Sequence, residues 1–164
     1  MKKKITVIAL VYLLLSLFVL TGCTPSAQNT TANISIGFKQ TGNAGSYDES
    51  LSVFTIGSRM YIAVNVQILT NLQRNTSYIV EIIIPRTDYI ITDPQGGLDE
   101  DKQESISGGY KLTYTVMGSK NAAKEKMLFS AVPYSEGSAE IKVTIYTADG
   151  EKVKGYSHTV FFEF

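Results

Sequence analysis

From Ile34 to the C-terminus the chain alternates apolar and polar residues with a period of two, the signature of half-buried β-strands. Ile34, Ile36 and Phe38 alternate with Ser35, Gly37 and Lys39, and a shorter run spans Leu51 to Ile56. Met60, Ile62, Val64, Val66 and Ile68 share one face of a strand, and Tyr78, Val80, Ile82 and Ile84 share one face of the next, which Pro85 ends by removing a ladder donor. Tyr110, Leu112, Tyr114 and Val116 give another strand, as does Met127 to Val132, stopped by Pro133. Only Ser119 to Lys126 carries helix formers, enough for a turn or two. Asp149-Gly150 predicts a two-residue hairpin turn, because both central positions of such a turn need positive φ. That turn sets Val143 opposite Tyr156, Ile141 opposite His158 and Ala139 opposite Val160. All lie on the apolar face with Ile145, Phe162 and Phe164. Seven to nine short strands with almost no helix predict an all-β, antiparallel β-sandwich.

The first residues follow a different rule. Lys2, Lys3 and Lys4 precede a run from Ile5 to Gly22 that carries no charge. A basic start followed by a hydrocarbon stretch is the pattern of an export signal. An uncleaved membrane helix is the second choice, since spanning needs about 20 apolar residues. The run ends in Leu20-Thr21-Gly22-Cys23, which resembles the lipobox of bacterial lipoproteins: an aliphatic residue, two small residues and a cysteine. The resemblance implies that Cys23 is alkylated with a diacylglyceryl group and that cleavage before it makes it the first residue of the mature chain. The thiol is the nucleophile this modification requires, and two acyl chains hold a protein firmly where one is marginal. The expected organisation is therefore a signal peptide over 1–22, a lipidated Cys23 with a small polar tether over 23–33, and one sandwich domain over 34–164.

The C-terminal run Ser135–Gly150 followed by Ser157–Phe162 resembles the final hairpin of bacterial immunoglobulin-like and PKD-like domains, with Met127–Val132 where these have the preceding strand. The resemblance implies an immunoglobulin-like sandwich. Ala139 stands where many such domains have the corner tyrosine, and the chain has neither a core Trp nor a Cys pair.

Composition narrows the function. The 15 basic and 15 acidic side chains exclude a basic nucleic-acid binder, so no nucleic-acid partner is expected. Loss of residues 1–22 removes three lysines and no acid, which leaves the mature chain net acidic by three. The single cysteine leaves no disulfide once it is lipidated, so stability must come from packing.

The chemistry inventory is short. His158 is the only imidazole, which excludes a His-rich zinc site, and its register puts it on the core side. Gly96-Gly97 and Gly108-Gly109 mark turns without a following helix, so no phosphate-cradling loop is present. The acidic stretch from Asp93 to Glu104 holds the whole negative excess. Asp93, Asp99, Asp101 and Glu104 are its candidate calcium ligands, with no other metal, cofactor or catalytic residue expected. Tyr47, Tyr61, Tyr89, Tyr134 and Tyr146 fall in loops or on polar strand faces, where tyrosine can serve in binding. The expected protein is anchored to the extracytoplasmic face of a cell membrane through lipid on Cys23. It acts without catalysis, as a structural, adhesion or protein-interaction module of the envelope. A carbohydrate-binding module using surface tyrosines is the alternative, which would make the partner an envelope polysaccharide, and a hydrolase comes third. Three tyrosines gathered in a groove would favour sugar; a flat polar surface with one bare sheet edge would favour strand addition by a polypeptide.

Overall fold

A computed structural model describes residues 29–40, 46–71, 76–92 and 97–164; the signal segment, Cys23 and Asp93 lie outside the described residues. Ten strands follow in chain order: β1 (Thr30–Lys39), β2 (Val53–Thr55), β3 (Met60–Thr70), β4 (Thr76–Pro85), β5 (Thr87–Thr92), β6 (Lys102–Ile106), β7 (Gly109–Gly118), β8 (Glu125–Pro133), β9 (Gly137–Thr147) and β10 (Lys152–Glu163). They form a four-stranded sheet, β1-β3-β8-β5, and a six-stranded sheet, β2-β10-β9-β4-β7-β6. The pairing is antiparallel except for the short β2, which runs parallel to β10. The smaller sheet takes the place of strands A, B, E and D of an immunoglobulin-like sandwich and β10-β9-β4 that of G, F and C. Chain order departs from that scheme at β5, which crosses to the small sheet before β6 and β7 are laid down.

The core is the meeting of the alternating faces. Met60, Ile62, Val64, Val66 and Ile68 are all buried, as are Tyr78, Val80, Ile82 and Ile84 on β4 and Leu112, Tyr114 and Val116 on β7. Each such side chain contributes roughly 1.5–3 kcal/mol of transfer free energy, which is how a sandwich without disulfides holds together. The outer face of the small sheet is partly closed as well. Tyr47 lies over Gly37, where an added Cβ would sit 2.9 Å from the tyrosine Cβ, and opposite Gly37 on β3 is Ala63, 1% exposed.

Several elements differ from the sequence reading. β1 begins at Thr30, so Thr30–Asn33 belong to the sheet and not to the tether. β3 supplies the reason, because its ladder continues to Thr70 and pairs these polar residues backbone to backbone. Ser119–Lys126 forms no helix; Thr70 and Ser119 are joined through their backbones, and Glu125 and Lys126 already pair with β3. Lys102–Ile106 is a strand and not part of a loop, held to β7 as an edge.

The last hairpin has the expected register by a different route. The Gly150 N–H donates to the Thr147 carbonyl at 3.0 Å and the Thr147 N–H to Glu151 at 2.8 Å, which encloses Ala148, Asp149 and Gly150 in a three-residue loop. Only Gly150 has positive φ, at 91°, as a type I turn closed by a glycine bulge requires. The longer loop shifts the pairing by one, so Tyr146 meets Lys152. A bulge at Val153 then restores it, and Ile145 meets Lys154, Val143 meets Tyr156 and Ile141 meets His158. Tyr156 and Phe164 leave the apolar face all the same, at 38% and 92% exposure. Cover from the small sheet reaches β10 at His158, through Phe38, and does not extend to Tyr156.

At the β4–β5 corner Arg86 adopts φ 56°, a left-handed conformation uncommon for a side-chain-bearing residue. Four hydrogen bonds hold it there. Its N–H donates to Gly108 and its carbonyl accepts from the Tyr134 N–H, while its guanidinium donates to Ser135 and to the Glu136 carbonyl. The corner thus locks the β6–β7 turn to the β8–β9 loop.

Candidate functional site

Of the four acidic candidates, Asp99, Asp101 and Glu104 lie among the described residues. Asp99 and Asp101 are exposed, and the Asp101 N–H donates to the Thr113 carbonyl at 2.8 Å, docking the segment onto β7. Glu104, on β6, accepts from Lys102 at 2.7 Å and Lys111 at 3.0 Å. The hydrogen bonds from these lysines hold its carboxyl below the ordinary carboxylate range. Its charge is therefore already matched. Among the described residues no three His, Cys, Asp or Glu side chains come together. The phenol of Tyr114 lies nearby, fully buried and with no hydrogen-bond partner. Burial, then the negative charges of Glu100 and Asp99, push its pKa up, so the hydroxyl stays neutral.

His158 sits where the register placed it. Its ring packs on Phe38 at 4.9 Å between centroids, and Nε2 is enclosed without a partner. The residue as a whole is half-buried. Three surface recesses, near Tyr156, near Asn71 and near Arg59, have volumes of about 280, 540 and 150 Å³. Their linings carry lysines, an arginine, hydroxyls and amides, with no carboxylate, imidazole or thiol.

Of the five tyrosines, the side chain of Tyr89 lies outside the described structure, and the other four are divided between two sheets and a corner. Tyr47 and Tyr61 share Lys39, whose ammonium lies 4.7 Å and 5.6 Å from their ring centres, and Lys126 approaches Tyr47 at 5.1 Å. These cations occupy ring faces that a sugar would stack on. Tyr134 stands at the Arg86 corner, and Tyr146 pairs with Ile79 in the large sheet.

Among the described residues one long edge lacks protection in its sequence. Three of the sandwich's four edges carry protective features. β2 has three residues, β6 has five with Lys102 and Glu104 among them, and β5 is broken by a register shift between Thr87 and Ile90. β1 has ten residues with no proline and no charge before Lys39. Phe38 exchanges both backbone hydrogen bonds with Asp48, at 2.9 and 2.8 Å, so its N–H and carbonyl point away from β3. By strand alternation those of Ile36, Ile34 and Ala32 point the same way. A continuing partner strand would bring Ser50 opposite Ile36. Instead the Ser50 N–H and hydroxyl both turn back to the Asp48 carboxylate, at 2.8 and 2.7 Å, and the chain leaves for β2. Among the described residues no strand pairs with β1 at Ala32, Ile34 or Ile36, but Ala32 and Ile36 are buried as whole residues, at 2% and 0% exposure, so Ile34 is the accessible point of this edge. Sequence pattern identified this strand's faces but carries no signal for which strands end a sheet.

No family model and no curated protein matches this sequence. Among solved structures, the chain is similar to the CARDB domain of a Pyrococcus furiosus protein in complex with di-metal ions, at 14% identity and TM-score 0.46, over 80% of this chain and 89% of that one. It is similar to an uncharacterised Nocardia farcinica protein with an immunoglobulin-like fold, at 15% identity and TM-score 0.44, over 67% and 92%. A cohesin from Archaeoglobus fulgidus has 14% identity and TM-score 0.40, over 82% and 92%. At these identities no ligand or partner carries across.

Proposed function

We propose that this chain is a lipid-anchored, extracytoplasmic interaction module that binds a polypeptide by strand addition at β1 and performs no catalysis. The carrying observation is the uncharged β1 edge, left by its neighbour at Asp48–Ser50, where Ile34 is partly exposed between the buried Ala32 and Ile36. Backbone hydrogen bonds supply affinity in this mode and alternate side chains supply selectivity. The anchoring part rests on Leu20-Thr21-Gly22-Cys23 at the end of the apolar run. Among the described residues no helix is long and apolar enough to cross a membrane.

One experiment in the producing cell addresses both parts, by adding labelled fatty acid and then recovering the full chain with its bound proteins. The wild type takes up label and brings down a protein partner, which can be another copy of itself. Cys23→Ala loses the label, because the chain has no other thiol. Asn33→Lys/Ser35→Lys keeps the label and loses the partner, because two ammonium groups then line the edge. Label in Cys23→Ala overturns the anchor; an unchanged partner in the lysine variant overturns strand addition.

A further inference from the structure

We propose that the stretch of β10 from Gly155 to Thr159 is a second docking edge, which takes an acidic polypeptide in extended conformation. The inference is independent of the β1 reading and stands on other residues. The first argument is backbone direction. β2 is short and covers β10 only at Phe161, Phe162 and Glu163. The Phe161 N–H donates to the Ser52 carbonyl and the Glu163 carbonyl accepts from the Ile56 N–H, so the backbone groups of these two residues point away from β9. The β9–β10 register runs without a shift from Lys154 to Phe162. By alternation the N–H and carbonyl groups of Gly155, Ser157 and Thr159 point the same way as those of Phe161. All three are exposed as whole residues, and among the described residues no strand pairs with them on that side. The edge ends at Thr159, because Ser52 takes the next outward position at Phe161.

The second argument is the surface on either side of this stretch. A recess of about 280 Å³ opens along it, with Lys142, Lys152, Gly155 and Ser157 in its lining. On the opposite face Tyr156 is 38% exposed, beyond the cover of the small sheet. Side chains of a strand alternate between faces, so an added strand would direct one row toward the recess and the other toward the Tyr156 ring.

The third argument is charge. Lys152 and Lys154 stand at the start of the edge, and no acid lies between Lys152 and Thr159. Lys142 has Glu140 at 3.3 Å, whereas among the described residues neither Lys152 nor Lys154 is in an ion pair. Lysines on an edge repel a basic strand and a second copy of this one, and they favour a partner that brings carboxylates. A carboxylate entering the recess meets ammonium groups from both β9 and β10.

The test is fluorescence anisotropy of labelled peptides with the full chain in non-ionic detergent micelles. The wild type binds a peptide of alternating Glu and Val, and binds its Lys-Val counterpart at least about tenfold more weakly. The Glu-Val peptide N-methylated at alternate residues loses about tenfold or more, because strand addition draws its affinity from backbone hydrogen bonds. In Lys152→Glu/Lys154→Glu, two exposed positions that the fold does not need, the preference between the Glu-Val and Lys-Val peptides reverses. A wild type that leaves the Glu-Val peptide free overturns the proposal, as does equal binding of the two charge types. Undiminished binding of the methylated peptide overturns strand pairing, and an unchanged preference in the double variant overturns the location on β10.

Discussion

Gly109→Ala should lower the unfolding free energy by about 3 kcal/mol or more, and urea denaturation read by circular dichroism will measure it. Gly109 opens β7 opposite Pro85, the last residue of β4. A Cβ added there would lie 2.2 Å from the Ile84 carbonyl oxygen and 2.8 Å from the Pro85 Cα. Both obstacles are backbone, so no rotamer change relieves them. The β4 terminus would have to move, and Arg86 follows directly, bonded to Gly108 and Tyr134. Gly57→Ala is the control. Nothing lies within 4 Å of a Cβ there, so only its φ of +73° resists, at a cost of about 1 kcal/mol. Equal losses in the two variants would mean that the close approach at Gly109 is relieved without cost.

His158→Asp should cost about 2–4 kcal/mol, while His158→Leu should stay within about 1 kcal/mol of the wild type, by the same denaturation. The imidazole rests on Phe38, and its Nε2 is buried without a partner, so the ring acts mainly as an apolar surface. Leucine preserves that surface and removes an unsatisfied nitrogen. Aspartate places a carboxylate against Phe38, with Ile141 beside it across the ladder. Equal stability of the two variants would put the side chain in water and return the only imidazole to the list of available groups.

What was legible in the sequence follows from what alternation can encode. The inner faces of β3, β4 and β7 were readable residue by residue, because a buried face excludes polar side chains at every second position. A β-sandwich followed from strand number and turn spacing, and its immunoglobulin-like kind from the resemblance carried by Ser135–Gly150 and Ser157–Phe162. The β9–β10 register emerged correctly although the turn was misread, since the bulge at Val153 cancels the extra loop residue. Local signals failed where tertiary pairing overrode them. Helix formers in Ser119–Lys126 were drawn into β8 and a cross-strand bond to Thr70. Lys102–Glu104 read as part of a loop, but the β6–β7 pairing makes it strand and sets Glu104 beside Lys111. The bare edge of β1 was least legible, because it depends on strand order and on the Asp48–Ser50 turn.

Amide hydrogen exchange along β1, measured on the dilute full chain in micelles, tests the central claim most directly. Asn33 and Ser35 pair with Gln67 and Asn65 of β3, whereas Ala32, Ile34 and Ile36 face away. The account predicts that the amides of Asn33 and Ser35 exchange about a hundredfold more slowly than that of the partly exposed Ile34. That difference should close as a partner strand binds. Uniform protection along the strand in the dilute, unassociated chain would show the edge already covered, and would contradict strand addition at β1.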